Sequence, residues 1–303
     1  SRILRSARST LRASRQGMQY QQLTDLPSLL LYSNPVSIHA QYARAGLDDI
    51  GVEYTKHDIE LPMGQLAPEL ARINPKMSIP FLVINDTGPE RKVLTDSRDI
   101  AMLVASLPDA KQLIPAGKEA AVAAIMDHIY SANGGQLAFK AYQQSSALFR
   151  LGLSIVGRLR LRTIRSYKRH NDDLAALYDE KLTNVNAPEV PWEMQVQNAE
   201  RVAAHFDQLL RSEQWLTGPE HTIADCLAAV WLQWVIWSNA VEVSERCKRF
   251  LGRAKARPGW NKTMAPPNFA PSFVLNRLRA AAFMMLILVG FIVVVVVWAC
   301  GLW

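Results

Sequence analysis

The last 24 residues, Ala280 to Trp303, carry no charge and include five consecutive valines between Ile292 and Trp298. About 20 apolar residues are enough for a helix to cross the hydrocarbon core of a bilayer, so a transmembrane helix is expected over 280–303. A buried core helix is the competing reading, but core helices seldom run this long without a charge. Arg277 and Arg279 stand just before the stretch. Cations on that flank predict that the preceding bulk of the chain lies on the positive-inside face of its membrane, in matrix or cytosol.

Charge is concentrated in two other places. Residues 1–21 hold five arginines, at 2, 5, 8, 12 and 15, and no acid. Their spacing of three or four puts them on one helical face, and with the serines around them they have the composition of a mitochondrial presequence. The alternative is a basic arm that stays on and touches acidic lipid or a partner. Residues 128–171 hold eight Lys and Arg, again with no acid. The two segments together carry more positive charge than the whole chain's +7, so the remainder is net acidic. A pI near 9.4 therefore does not describe the globular part, and no nucleic-acid partner is implied.

Between the ends, alternation and turn signals lay out a βαβαββα unit. The elements are a strand over 28–33, a helix over 38–49, a strand over 52–59, a short helix over 69–74, strands over 79–84 and 92–95, and a helix over 98–106. Pro80 opens a strand, where the missing N–H costs least, and a cis Ile79–Pro80 bond would expose the Ile79 backbone to an extended ligand. After a linker over 107–115, helical spacing runs through 120–140, 192–211 and 223–239. Thr222 and Asp225 have the spacing of a helix cap, and the helix that follows is apolar nearly all round, as expected of a buried central helix. The three cysteines (226, 247, 300) are odd in number and form no C-x-x-C; the six histidines include no i, i+4 pair. Neither a disulfide framework nor a metal site is expected, and a reducing compartment suits them better. Nucleotide-binding glycine motifs and G-x-S-x-G are absent.

This order of motifs resembles the glutathione transferase superfamily. The matching residues are Leu31-Tyr32-Ser33, a serine at the first helix, Asn74-Pro75 ahead of Ile79-Pro80-Phe81-Leu82, Asp96-Ser97, and Trp215-Leu-Thr-Gly-Pro-Glu-His-Thr-Ile-Ala-Asp225. The resemblance covers about residues 28–262. With His57-Asp-Ile-Glu-Leu-Pro62, the basic insertion and the C-terminal span, the chain is most similar to the membrane-anchored ganglioside-induced differentiation-associated group. The resemblance implies an α/β thioredoxin-like N-terminal domain (28–107) and an all-α C-terminal domain (116–262) with the basic insertion at about 145–190. A basic arm (1–27), a linker (263–279) and one C-terminal transmembrane helix (280–303) complete the organisation.

It also implies roles. Ser37 would hydrogen-bond the glutathione sulfur, Ile79 beside Pro80 would pair with the peptide backbone, and Asp96 with Ser97 would hold the γ-glutamyl end. Ser37 and Ser97 read equally well as helix caps. Tyr32 is near the position used by tyrosine-type members. With no cysteine before 226, cysteine-type redox chemistry is excluded. Glutathione is admitted as a ligand but no cofactor is required. In the insertion, Arg158, Arg162, Arg165 and Arg160 alternate with Leu, Ile and Val, which suits acidic lipid headgroups or an acidic neighbouring subunit. The expected function is a non-catalytic accessory or scaffold subunit of a mitochondrial inner-membrane complex, facing the matrix. The alternatives are a membrane-bound glutathione transferase and a tail-anchored protein of the mitochondrial outer membrane facing the cytosol.

Overall fold

Strand β1 (Leu29–Ser33) has two unlike faces: Leu29, Leu31 and Ser33 are fully buried, while Leu30 and Tyr32 are half-buried on the other side. It lies inside a four-stranded sheet of order β2-β1-β3-β4, with β2 spanning Thr55–Asp58, β3 Phe81–Ile84 and β4 Lys92–Leu94. The computed structural model describes residues 28–86, 90–107, 113–145, 147–185 and 190–264. The basic arm over 1–27 and the expected span over 280–303 lie outside the described residues. Among those described, no helix is long and apolar enough to cross a membrane.

The pairing of β1 with β2 is parallel and therefore needs a crossover, which helix α1 (Ile38–Ile50) supplies. β3 joins β1, and β4 joins β3, in antiparallel register. Helices α2 (Pro68–Ile73) and α3 (Ser97–Ser106) complete the βαβαββα unit read from the sequence. β2 is exposed along its whole length and carries a Lys56–Asp58 ion pair, the charged surface that keeps an edge strand from recruiting another chain.

The second layer is helical: α4 (Glu119–Ser131), α5 (Gly134–Ser145), α6 (Ala147–His170), α7 (Ala175–Val185), α8 (Trp192–Leu209), α9 (Ile223–Ser238), α10 (Glu245–Lys255) and α11 (Trp260–Thr263). The single helix expected over 120–140 is instead two. Asn133 Oδ1 accepts from Gln136 N–H at 3.0 Å and starts a new helix, while the carbonyl of Ala132 at the break accepts from the Trp231 indole at 2.6 Å. Gly135 makes the close approach possible, because a Cβ there would sit 2.8 Å from Ile38. α9 begins at a capping box in which Asp225 accepts from Thr222 N–H and Oγ1 and from Leu216 N–H, each at 2.8 Å. Burial pushes the Asp225 carboxyl up to about 6, and those three donors pull the other way.

The basic insertion folds as α6 and α7 and docks on the N-terminal domain. Ile164, Leu174 and Tyr178 form a small second core with Leu66, Ala71 and Met77, Tyr178 donates to the Leu66 carbonyl at 2.8 Å, and Arg72 forks onto Asp173. At the other end of the molecule, the segment after α10 clasps α1. Arg257 makes two bonds to Asp49, at 2.5 and 2.7 Å, Thr263 donates to Asp48 at 2.7 Å, and Arg44 donates to the Thr263 carbonyl. Gly259 lies so close to α1 that a Cβ would come within 2.4 Å of the Asp48 backbone, which cannot yield as a side chain could. Gly259→Ala is expected to cost about 2–3 kcal/mol and lower the thermal midpoint by roughly 5–10 °C. Gly252→Ala, in α10 with open space around it, should leave the midpoint unchanged or raise it slightly.

Candidate functional site

The chain turns sharply between β1 and α1. Asn34 drives the turn by donating to the Ile59 carbonyl at 2.7 Å and accepting from Val36 N–H at 2.8 Å. Ser37 then caps α1, its Oγ accepting from Ala40 N–H at 3.3 Å. One turn on, Gln41 donates to the Pro35 carbonyl and accepts from the Trp234 indole at 2.6 Å, tying the start of α1 to the central helix α9. Between these elements and the insertion lies a cleft of about 670 Å³, on whose wall stand Ser37, Phe139, Lys140, Arg160, Lys181 and Trp234.

The other four expected glutathione contacts do not line this cleft. The Ile79–Pro80 bond is cis and leads directly into β3, with Ile79 half-buried and Pro80 buried. Asp96 is the N-cap of α3, accepting from Arg98 N–H at 2.8 Å. Ser97 follows inside the helix and caps nothing: its hydroxyl pairs with Tyr130 Oη at 2.8 Å and faces His39 Nδ1 at 3.4 Å. Asn133 approaches the other nitrogen of His39 at 3.4 Å. Burial lowers the His39 pKa, with Asp96 opposing, and burial raises that of Tyr130, so this cluster is neutral. Tyr32 belongs to the opposite face of β1, stacked on Phe81 at 4.2 Å and next to His57, and is remote in direction from the start of α1.

The four insertion arginines part company. Arg158, Arg162 and Arg165 are exposed on one face of α6, which also carries exposed Leu151, Ile155 and Leu159. Arg160 is half-buried on the cleft wall. At about 100° per residue, positions 158, 162 and 165 share a face and 160 lies roughly opposite, a signal legible in the spacing. Lys140 and Lys181 gave no comparable signal, because the contacts that bring them to the cleft are tertiary. A larger hollow of about 970 Å³ beside β2 holds none of the expected site residues.

Residues 31–112 match the family model "Glutathione S-transferase, N-terminal domain". A glutathione transferase family member from Pseudomonas fluorescens, solved with two glutathione molecules bound, is 19% identical, covering 83% of this chain and 96% of its own at a TM-score of 0.55. A Burkholderia graminis glutathione transferase with two glutathiones per subunit is 20% identical, over 84% of this chain and 100% of its own, at 0.53. The delta-class enzyme of Nilaparvata lugens is 16% identical, over 78% and 92%, at 0.52. The protein has the glutathione transferase fold, a thioredoxin-like sheet domain followed by a helical domain. No curated protein sequence matches it.

One further cluster was not foreseen from the sequence. Asp49, His221 and Cys226, from α1, the turn before α9 and α9 itself, bring one ligand atom each to within 4.8 Å of one another. Sequence spacing gave no sign of this grouping, because Asp49 lies far along the chain from His221 and Cys226 and only packing brings it to them. Their arrangement is that of a part-buried ion pair with a histidine and a thiol beside it. Asp49 gives both oxygens to Arg257, Cys226 Sγ lies 3.8 Å from His221 Nε2, and Asp49 lies 3.6 Å from the other ring nitrogen. The carboxylate's charge is thus already met by a guanidinium, and burial raises the Cys226 thiol.

Burial lowers the His221 pKa from 6.5 to about 4, Asp49 opposing and Arg257 adding to the shift. Between these values the unfolded chain's His221 holds a proton that the folded chain's does not, so this group's contribution to stability falls as pH drops from about 6.5 towards 4. By pH 5 this one group should cost about 2 kcal/mol. Chemical unfolding at pH 7 and pH 5 is expected to show a loss smaller by that amount in His221→Gln; an equal loss in both proteins would refute the assignment.

Proposed function

We propose that this chain is a membrane-anchored relative of the ganglioside-induced differentiation-associated proteins that serves as a non-catalytic accessory or scaffold subunit of a mitochondrial inner-membrane complex, such as a respiratory one, with its globular part in the matrix. The carrying observation is that both candidate serines already serve the fold. Ser37 caps α1 and Ser97 is held by Tyr130 beside His39, while Ile79, Pro80, Asp96 and Ser97 stand away from the open cleft. The uncharged run over 280–303 and the arginine-rich start support anchoring and import.

A second reading, a membrane-bound glutathione transferase, is favoured by Ser37 on the wall of a cleft flanked by three cations, and by the glutathione bound in two structural neighbours. Titrating the full chain with glutathione by calorimetry, and assaying it with a panel of electrophiles, separates the two. Negligible binding and turnover are expected. Robust turnover that disappears in Ser37→Ala would establish the enzyme, since loss of a cap alone costs only about 1 kcal/mol of stability.

The outward face of α6 supports docking. Leu151, Ile155 and Leu159 share it with Arg158, Arg162, Arg165 and Arg169, all exposed and without an intervening acid. Each cation near anionic headgroups contributes about 1 kcal/mol. Replacing Arg158, Arg162 and Arg165 together by Gln should weaken binding to cardiolipin-containing vesicles, or retention in the assembly, with little change in thermal midpoint. Unfolding of the core with both associations intact would make these arginines internal structural partners.

A further inference from the structure

Both ends of the described fold meet at one hollow. Its wall carries Ser28, the first described residue, and Lys262, two before Met264, the last. The hollow has a volume of about 970 Å³ and lies at the C-terminal end of α1, away from the cleft at Ser37. That helix gives it Arg44, Asp48 and Gly51, and the segment leading into β2 gives it Glu53.

Six charged groups line the hollow, three of each sign, and their pairing is uneven. Lys56 is spent on Asp58 at 2.9 Å and Asp86 on Arg91 at 3.3 Å. Asp48 accepts from Tyr54 at 2.9 Å and from Thr263 at 2.7 Å. Arg44, Lys262 and Glu53 remain. Arg44 is 3% exposed and makes a single hydrogen bond, from Nη2 to the Thr263 carbonyl, while its Nε is buried with no partner. A guanidinium has five N–H donors, so this one is far from satisfied. Burial lowers its pKa, with Tyr54, Asp48 and Asp58 opposing. Lys262 and Glu53 are exposed and have no ion-pair partner among the described residues.

We propose that this hollow binds a zwitterion of the phosphoethanolamine class, its phosphate on Arg44 and Lys262 and its ammonium at Glu53 and the C-terminal end of α1. The phosphate meets two cations, and such charge-assisted hydrogen bonds are about twice as strong as neutral ones. The ammonium meets a carboxylate and the last carbonyls of α1, where the helix dipole is negative. Gly51, left-handed at φ 71°, ends α1 at the hollow's wall. These acceptors favour an ammonium with N–H donors over a quaternary one, and Tyr54 is the only aromatic side chain on the described wall, too few for a cage. A free phosphoethanolamine compound and a phospholipid headgroup share this chemistry. Residues 265–279 join Met264 to the uncharged run and reach at most about 50 Å, so a bilayer entered by that run stays within range of the hollow. The lipid source rests on the anchoring proposed above; the zwitterion site does not.

The test is calorimetry on the full chain in phosphatidylglycerol nanodiscs, against empty discs, with glycerophosphoethanolamine, glycerophosphocholine, glycerol 3-phosphate and ethanolamine as probes. Glycerophosphoethanolamine should bind at least tenfold more tightly than each of the other three. Lys262→Gln and Glu53→Gln, at exposed side chains, should each weaken it about tenfold, and Glu53→Gln should also erase the preference over glycerophosphocholine. Adding phosphatidylethanolamine to the discs identifies the source: weaker probe binding supports the site with a lipid headgroup as its ligand, and equal binding supports it with a soluble one. A chain that does not enter the discs overturns the anchoring alone, and the same titration in solution then decides the site. Absence of binding, glycerophosphocholine or glycerol 3-phosphate binding as tightly as glycerophosphoethanolamine, or an affinity unchanged in both variants would overturn the proposal.

Discussion

Fourteen of the sixteen residues of α9 are buried, so this helix must be enclosed on every side and the rest of the molecule is arranged to enclose it. α1 covers it from the sheet domain, α4 and α5 from the helical domain, and α10 from beyond. Two indoles convert that enclosure into registration. Trp231 bonds the carbonyl at the α4–α5 break, and Trp234 bonds Gln41 of α1, each at 2.6 Å and buried. A buried indole N–H left without an acceptor would cost a few kcal/mol, so each neighbour is held in place as well as packed. The capping box at Thr222 and Asp225 ensures that α9 starts where those partners are.

The start of α1 is shaped by the same constraint. Gln41 is spent on Pro35 and Trp234, Asn34 on Ile59 and Val36, and Ser37 on Ala40. Polar residues around the would-be sulfur site thus hold the fold together. A few ångströms of structure away in the same interface, Ser97, Tyr130, His39 and Asn133 satisfy one another in a neutral cluster. On the cleft wall, among the described residues, Arg160 Nε from the insertion and Gln195 Oε1 are buried without a hydrogen-bond partner.

The insertion is therefore bifacial. One side of α6 and α7 closes a small core with Leu66, Ala71 and Met77, and Arg160 and Lys181 look into the cleft. The other side of α6 presents leucine, isoleucine and arginine to the outside. A helix of 24 residues with cations on both sides has no single role for its charge. Exposed arginines act at a distance limited by screening, whereas a half-buried one acts on whatever enters the cleft.

Local patterns settled much of this protein. The βαβαββα order, the Pro80 position, the cap at Thr222 and the burial of α9 all follow from alternation, missing donors and short-range hydrogen bonds, which depend only on neighbours in sequence. The uncharged run at the C-terminus is likewise a statement of sequence alone. The break at Asn133 escaped, because helical periodicity continues across it and only the fit of Gly135 against Ile38 demands two helices. The Ser97 cluster and the Asp49, His221 and Cys226 grouping escaped for the same reason: each joins residues distant in sequence, Ser97 to Tyr130 across 33 positions and Asp49 to Cys226 across 177. Sequence determined which side chains are apolar, capping or charged. Tertiary packing alone decided which charges face each other, because desolvation and pairing depend on what the fold brings alongside.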